Sequence, residues 1–109
     1  VTFGGGDPLV QWEFLVKVLE ECKKHQIHTA IETEGYAEEA VFLHVLSYID
    51  FAFVDLKHMD PQKHEEKTGV SNERILKNLR ALKSSGWKGE KYDYICSKYR
   101  TAFSGKGYL

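Results

Sequence analysis

The spacing of apolar residues divides most of this 109-residue chain into alternating strands and helices. Apolar residues recur at steps of three and four over residues 9–25, which predicts an amphipathic helix. Shorter apolar runs at residues 28–33 and Phe51–Leu56 predict strands. The second run is apolar until Asp55, which is typical of a strand covered on both faces. Residues 1–3 are typical of the end of a further strand.

Each predicted helix turns a set of apolar residues toward a common core. The first helix does so with Leu9, Trp12, Leu15, Leu19 and Cys22, together with Phe14 and Val18. A second helix over residues 37–47 contributes Val41, Leu43, Val45 and Leu46. A third begins at Asp60 and Pro61, where a cap precedes a proline. A fourth, capped by Ser71 or Asn72 and ended by Gly86, contributes Ile75, Leu76, Leu79 and Leu82.

This order of elements predicts an α/β fold in which parallel strands are joined by right-handed crossovers. Three such units form part of either a barrel or a doubly wound sheet. A closed (β/α)₈ barrel is excluded, because it needs about twice this length. Beyond Gly86 the pattern fails: residues 92–96 are a candidate strand, whereas residues 98–109 show no strand or helix period. Because Val1 lies inside a predicted strand, we expect further residues upstream.

Composition is that of a folded domain, with 42% hydrophobic and 28% charged residues. No apolar run is long enough to cross a bilayer and no signal peptide is present, so we expect no membrane association. Cys22 and Cys96 form no ligand motif, which favours a cytoplasmic protein without a disulfide framework. The histidines lack metal-ligand spacing and are expected at the surface or in the packing: His28, His58 and His64.

Charge is uneven along the chain, although the net charge is only −1. Residues 83–109 carry six Lys or Arg against two Asp or Glu. A basic end rich in tyrosine can contact nucleic acid, but it is more often simply solvated. We therefore expect no nucleic-acid partner.

Three glycines, Gly4, Gly5 and Gly6, separate the first strand from the first helix. Asp7 can cap that helix, and Pro8 suits its first position, where no amide hydrogen is needed. Glycines let a ligand approach the main chain closely, next to the positive end of a helix. A plain tight turn explains the same residues equally well, so both interpretations stay open here.

Polar side chains also follow the second and third predicted strands. Glu32 and Thr33 end one strand, and Asp55 and Lys57 end the other. The carboxyl ends of parallel strands lie at one edge of a sheet, where ligands bind. Singly, these residues fit a solvated carboxylate and a local ion pair. Together with the glycine turn, they predict a ligand site offering backbone, carboxylate and ammonium groups.

Four segments form a specific set: residues 2–8, 28–36, 55–60 and 68–72, which read TFGGGDP, HTAIETEGY, DLKHMD and TGVSN. This set resembles the radical S-adenosylmethionine activating enzymes of glycyl radical enzymes, with pyruvate formate-lyase activating enzyme as the type member. Order and spacing fit over residues 1–86. The resemblance implies that these residues are the middle third of a partial (β/α)₆ barrel, followed by an atypical basic tail over residues 87–109.

The resemblance implies the chemistry of the whole enzyme. A [4Fe-4S] cluster, held by a CxxxCxxC loop before this chain, reductively cleaves S-adenosylmethionine to a 5′-deoxyadenosyl radical. The radical takes a hydrogen atom from a glycine of a partner such as pyruvate formate-lyase. No CxxxCxxC motif occurs in this sequence, so we expect the chain alone to be an inactive fragment.

The resemblance also assigns roles to the polar residues. The methionyl amino group of the cofactor is implied to lie at Gly5, Gly6 and Asp7, and its carboxylate and ribose near Lys57. Thr33 and Asp55 are implied to lie beside the cofactor, where a monovalent cation is held by Glu32, Thr33 and Asp55. An ammonium group prefers carbonyl and carboxylate acceptors, which agrees with this assignment. Asp7 replaces the usual glutamate and is one methylene shorter.

Two other functions are compatible with the residues. Asp55, Lys57 and Asp60 fit the D-x-K-x-x-D spacing of barrel decarboxylases related to orotidine phosphate decarboxylase, although Asp60 also suits a helix cap. Alternatively, the chain is a non-catalytic remnant domain, and its open sheet edges predict self-association. Binding of S-adenosylmethionine that depends on Asp55 and Lys57 would favour the activating enzyme.

Overall fold

One sheet of five strands organises the computed structural model, which describes the backbone of residues 1–95 and 101–104 and the side chains of residues 1–90. The strands are β1 (Thr2–Phe3), β2 (Ala30–Thr33), β3 (Phe51–Leu56), β4 (Glu90–Ile95) and β5 (Thr101–Ser104). The helices are α1 (Trp12–Lys24), α2 (Glu39–Leu46), α3 (Pro61–Thr68) and α4 (Glu73–Ser84). None of these described helices is long and apolar enough to span a membrane.

The strands lie in the sheet in the order in which they occur in the sequence. β1 to β4 are parallel, and β5 is antiparallel to β4. Because crossovers between parallel strands are right-handed in nearly all proteins, a sequential order places the connecting helices on the same face. A doubly wound sheet would reverse its strand order instead. This order identifies a barrel segment and confirms the predicted α/β class with a partial TIM-like barrel.

The two faces of the sheet differ in burial. On β3 the even-numbered residues from Ala52 to Leu56 are fully buried, and the odd-numbered residues from Phe51 to Asp55 are only half-buried. The prediction that both faces of this strand are covered is therefore wrong for the described part of the chain. The helices pack on one face, and Asp55 lies on the less covered one.

The core between the helices and the sheet has Phe42 of α2 as its largest fully buried side chain. The sequence predicts that Val41 and Leu43 face this core; both are only half-buried and pack against its margin. Residues 40–43 are four consecutive apolar residues in a helix of eight residues. So short an apolar run does not reveal which side of a helix faces inward.

The first predicted helix forms in two parts. Asp7 accepts a hydrogen bond from the N–H of Leu9 at 3.1 Å and begins a 3₁₀ turn, Pro8–Gln11, that leads into α1. Phe14 was predicted to face the core, but its exposure of 68% contradicts this. Phe14 lies about 100° around the helix from the buried Leu15, at the margin of the apolar stripe. It lines a surface groove between α1 and β1 instead.

Polar side chains cap the N-termini of α3 and α4, but one of the predicted candidates, Asn72, makes no capping hydrogen bond. Asp60 caps α3 as predicted, and accepts hydrogen bonds from two N–H groups of the first turn at 2.9 and 3.0 Å. Before α4, the hydroxyl of Ser71 accepts from the N–H of Glu73 at 3.2 Å. Asn72 occupies the capping position but makes no capping hydrogen bond, because its side chain points elsewhere.

Described residues beyond Gly86 continue the fold. The indole N–H of Trp87 donates to the carbonyls of Leu46 at 2.8 Å and Ile49 at 3.2 Å. β4 follows and pairs in parallel along the whole of β3, which agrees with the candidate strand predicted at residues 92–96.

β5 corrects the expectation that residues 98–109 contain no strand. It forms by antiparallel pairing with β4. The pattern of apolar and polar residues within these four residues does not predict that pairing. Cys96 lies outside the described residues. The division into a barrel segment over residues 1–86 and a tail over residues 87–109 stays a prediction.

Candidate functional site

The carboxyl ends of β1, β2 and β3 lie side by side at one edge of the sheet. We call this edge the rim and define it as residues 4–7, 32–34 and 55–57. Parallel pairing aligns Phe3 with Ile31 and Thr33 with Val54, so the three strands end at the same side. The three polar corners that the sequence predicts are therefore brought together.

The glycine turn exposes its main chain at the rim. Gly5 has φ of +91°, a backbone conformation that disfavours any other residue. Apart from the adjacent residues of the chain, no atom of the described residues lies within 4 Å of the position that a Cβ would take at Gly5 or Gly6. At Gly4 this position is 3.3 Å from Oε2 of Glu32. The first two corners are thus in contact, and Gly5 and Gly6 face open space.

The carboxylate of Asp7 connects the first two corners. Its Oδ1 accepts from the N–H of Leu9 at 3.1 Å and from the hydroxyl of Thr33 at 2.7 Å, and its Oδ2 accepts from the N–H of Glu34 at 3.0 Å. The hydroxyl of Thr33 also accepts from the N–H of Gly35 at 3.0 Å. These contacts occupy about three of the roughly four lone-pair directions of the carboxylate. Asp7 therefore has little acceptor capacity left for a ligand.

Asp55 and Lys57 form the third corner. Lys57 Nζ lies 2.5 Å from Oδ2 of Asp55. The side chain of Lys57 is 31% exposed and that of Asp55 is 26% exposed. Oδ1 of Asp55 is buried and has no hydrogen-bond partner among the described residues. A buried carboxylate oxygen without a donor costs free energy, so a donor supplied by a ligand would be favoured there.

The strand register places the three side chains predicted for a monovalent cation on two faces of the sheet, and their role in binding an ion stays a prediction. Successive residues of a strand point to opposite faces. Glu32 and Asp55 share the less covered face, because Glu32 pairs with Phe53 and Asp55 lies two residues further along. Thr33 is buried on the opposite face, and its hydroxyl is bonded to Asp7.

The described residues do not fit an iron–sulfur cluster. No group of three or more His, Cys, Asp or Glu side chains within them could hold a metal ion. Cys22 is buried on α1 as part of the core. Cluster ligation by three thiolates therefore has no counterpart in this part of the chain.

The histidines lie where the sequence places them, at the surface or in the packing. His28 is exposed. His64 is 2% exposed, and its Nδ1 donates to the carbonyl of Val70 at 2.7 Å, since a carbonyl oxygen can only accept. His58 is half-buried beside the rim and accepts the N–H of Asp60 on its Nδ1 at 3.0 Å.

The decarboxylase hypothesis requires Asp60 beside Lys57, but Asp60 serves as the helix cap. The N–H of Lys63, and then that of Gln62, hold the pKa of Asp60 below its ordinary value of 3.8. Lys57 is paired with Asp55 instead. The D-x-K-x-x-D spacing therefore reflects a rim pair followed by an exposed cap.

Two buried asparagines bind the segments that directly follow the second and third corners of the rim, and no sequence pattern identified them as site residues. Asn72 donates to the carbonyls of His58 and Met59, and Asn78 donates to those of Gly35 and Ala37. Helical spacing marks Asn78 as near the inner face of α4, but no local pattern reveals partners some forty residues away.

The fold and the rim together agree with a known superfamily. Residues 1–98 match the model of the Radical SAM superfamily, so the chain belongs to that superfamily. The match extends beyond residue 86, where the sequence resemblance was expected to end.

Several relatives among curated proteins are activating enzymes. The 4-hydroxyphenylacetate decarboxylase activating enzyme of Clostridium scatologenes is 62% identical over 89 residues, which cover 82% of this chain and 28% of that protein. The choline trimethylamine-lyase activating enzyme of Oleidesulfovibrio alaskensis is 51% identical over 79 residues, which cover 72% and 26%. The chain thus spans less than a third of the length of these relatives.

A solved structure gives the same assignment. A domain of pyruvate-formate lyase-activating enzyme from Bacteroides vulgatus superposes with a TM-score of 0.74 at 35% identity. The superposition covers 85% of this chain and 56% of that domain.

Proposed function

We propose that this chain is the cofactor-binding segment of a glycyl-radical-enzyme activating enzyme, and that S-adenosylmethionine binds at the rim. Membership of the radical SAM superfamily and the identity to activating enzymes support this proposal. When bound to a reduced [4Fe-4S] cluster, S-adenosylmethionine supplies a 5′-deoxyadenosyl radical. The cluster itself would be held outside the described residues.

The observation that carries the proposal is the buried Oδ1 of Asp55, which has no hydrogen-bond partner among the described residues and lies at the same edge of the sheet as an open glycine turn. S-adenosylmethionine presents an ammonium group, a carboxylate and ribose hydroxyls. The backbone carbonyls of Gly5 and Gly6 suit the ammonium group, and Lys57 suits the carboxylate. Asp55 would accept a hydrogen bond from a hydroxyl or amino donor of the ligand.

Asp7 and Thr33 would act on the cofactor indirectly. Their side chains are already bonded to each other and to backbone N–H groups, so they would hold the glycine turn against the end of β2. This assignment modifies the role that the family resemblance implies for Asp7, whose shorter side chain is committed to the protein.

If the site holds a monovalent cation, the ion binds on the face of the sheet that Glu32 and Asp55 share. Two carboxylates on one face attract a cation, and the ammonium group of Lys57 already neutralises part of that charge. We propose that the hydroxyl of Thr33 takes no part in binding such an ion.

The test is calorimetric titration of S-adenosylmethionine into the protein that carries this chain at full length. We expect Lys57→Met and Asp55→Ala each to raise Kd by about tenfold or more, because each removes a hydrogen bond to or from a charged group. Lys63→Ala, an exposed lysine of α3, is the matched control and should leave Kd unchanged. Equal affinity of all four proteins would contradict the proposed site.

The partner would be a glycyl radical enzyme. The 62% identity to a 4-hydroxyphenylacetate decarboxylase activating enzyme favours a decarboxylase of this class over a choline or isethionate lyase. Anaerobic incubation of the reduced full-length protein with each candidate partner should give a glycyl radical signal in electron paramagnetic resonance with the cognate partner alone. We place this reaction in the cytoplasm, with no role for nucleic acid or a membrane.

The isolated 109-residue chain would be inactive. Reconstitution with iron and sulfide under anaerobic conditions tests this, since cluster ligation needs three thiolates and the sequence contains two cysteines. A stable brown [4Fe-4S] protein that cleaves S-adenosylmethionine would contradict it.

A further inference from the structure

Two asparagine side chains are buried at α4, although they are not part of its apolar face. Asn72 precedes the first residue of the helix and is 0% exposed, and Asn78 lies in its second turn and is 1% exposed. The other buried residues of α4 are aliphatic: Ile75, Leu79 and Leu82. Two fully buried amides, one in the helix and one directly before it, need a reason beyond packing, because buried polar groups cost free energy unless they are bonded.

Asn72 holds the chain directly after the third corner of the rim. Its amide nitrogen donates to the carbonyl of His58 at 3.0 Å and to that of Met59 at 2.6 Å. These are the two residues that follow Lys57. The carbonyls are thereby fixed to the start of α4, and with them the backbone that carries the lysine.

Asn78 holds the chain directly after the second corner in the same way. Its amide nitrogen donates to the carbonyl of Gly35 at 2.9 Å and to that of Ala37 at 2.8 Å. Gly35 also donates its N–H to the hydroxyl of Thr33, which is bonded to Asp7. The loop after β2 is therefore tied to α4 on one side and to the glycine turn on the other.

Both side chains use their donors twice and leave their acceptors unused. Oδ1 of Asn72 and Oδ1 of Asn78 are buried and have no partner among the described residues. An aliphatic residue of similar size would avoid that cost. The donors are therefore the feature that explains an asparagine at each position.

We propose that Asn72 and Asn78 are positioning residues that fix the distance between the second and third corners of the S-adenosylmethionine site through α4. The inference rests on the function proposed above. Six residues of helix span about 9 Å, so one rigid element carries both ties at a set separation. Ile75, which lies between them, and Leu79, which follows Asn78, pack that element against the core.

The test compares Asn72→Leu and Asn78→Leu with Leu82→Ala in the full-length protein. The two leucine variants keep the number and branching of the side-chain heavy atoms and remove the donors. Leu82→Ala destabilises the far end of the same helix without touching the rim. The first measurement, hydrogen–deuterium exchange without ligand, should show faster exchange at residues 57–60 in Asn72→Leu and at residues 34–38 in Asn78→Leu. Leu82→Ala should leave both segments as in the wild type.

The second measurement is Kd for S-adenosylmethionine, which should rise by about fivefold to tenfold in each leucine variant. Because Asn72 acts through the lysine, its substitution should have no further effect in a Lys57→Met background. If Asn78→Leu fails to fold, Asn78→Ser, which keeps one donor, should give an intermediate Kd.

Faster exchange with unchanged Kd would overturn the positioning role and leave the proposed function standing. Unchanged exchange would overturn the ties themselves. Absence of binding in the wild type would overturn the proposed function and this inference with it.

Discussion

The hydroxyl of Thr33 donates to Oδ1 of Asp7 across 2.7 Å, which joins two residues 26 positions apart in the sequence. The same carboxylate begins the first helix and receives the N–H of Glu34. One side chain thus performs three tasks at the point where the glycine turn meets the end of β2. This contact explains how a turn with three glycines is held in one place.

Removing this contact should destabilise the protein more than removing a simple cap does. We expect Asp7→Ala to lower the free energy of unfolding by about 2 kcal/mol, because a cap and two further hydrogen bonds are lost. Thr33→Val should cost about 1 kcal/mol, and the double variant should cost less than the sum of the two. Urea unfolding measures all three. Asp60→Ala, which removes a cap alone, should cost less than Asp7→Ala, and additive effects of the pair would contradict the coupling.

Gly5 and Gly6 should respond to alanine in different ways. Gly5 has φ of +91°, so Gly5→Ala should lower stability by about 1 kcal/mol through backbone strain. Gly6→Ala has no such strain and meets no atom, so its unfolding curve should match the wild type. Its methyl group occupies the space that we assign to S-adenosylmethionine, and Kd should rise. An unchanged Kd in Gly6→Ala would show that the ligand does not approach this turn.

The pH dependence of stability should show a contribution from Asp50, which lies at the end of the sheet opposite the rim. The N–H of Thr29 holds the pKa of this carboxyl below its ordinary value of 3.8. The ionised form is therefore favoured by folding. Its contribution is present above pH 3.8 and is lost as the pH falls through the lowered pKa.

Asp50→Asn should accordingly have a lower free energy of unfolding than the wild type at pH 7, and this difference should shrink progressively below pH 4. The difference should be under about 1 kcal/mol, because the carboxylate is exposed and screened by solvent. Unfolding curves at several pH values measure it. Glu66→Gln on α3 is the control, and an equal pH dependence in both variants would contradict the assignment.

The groove between α1 and β1 should promote self-association of the isolated chain. Val10 and Phe14 are 80% and 68% exposed beside β1, an edge strand of the described sheet. Apolar surface next to unpaired strand groups favours association. Sedimentation velocity should show concentration-dependent dimers that Phe14→Lys abolishes, whereas Glu13→Lys, on the neighbouring position, should leave them. A monomer at every concentration would contradict this prediction.

Most of the rim could be predicted because its signals are local. The glycine turn and the polar residues that end each strand are recognised within a few positions of sequence, as is the nearby helix cap Asp60 before Pro61. Parallel topology then brings the strand ends together without any knowledge of side-chain contacts.

What the sequence did not reveal depends on contacts between distant residues. The sequence predicts Ser71 or Asn72 as the cap of α4. Ser71 makes the capping hydrogen bond, whereas the donors of Asn72 reach back to His58 and Met59. Asn78 bonds to Gly35, 43 positions away. Phe14 is exposed because the apolar face of the first helix is narrower than its apolar residues indicate.

The ties between the corners have a consequence for selectivity. Groups that have already lost their freedom in the folded protein lose little conformational entropy when a molecule arrives. A site held in this way gains affinity for the shape that it fits, and it adjusts poorly to a bulkier or shorter analogue. We therefore expect this edge of the sheet to reject compounds that carry the adenosine but lack the amino acid.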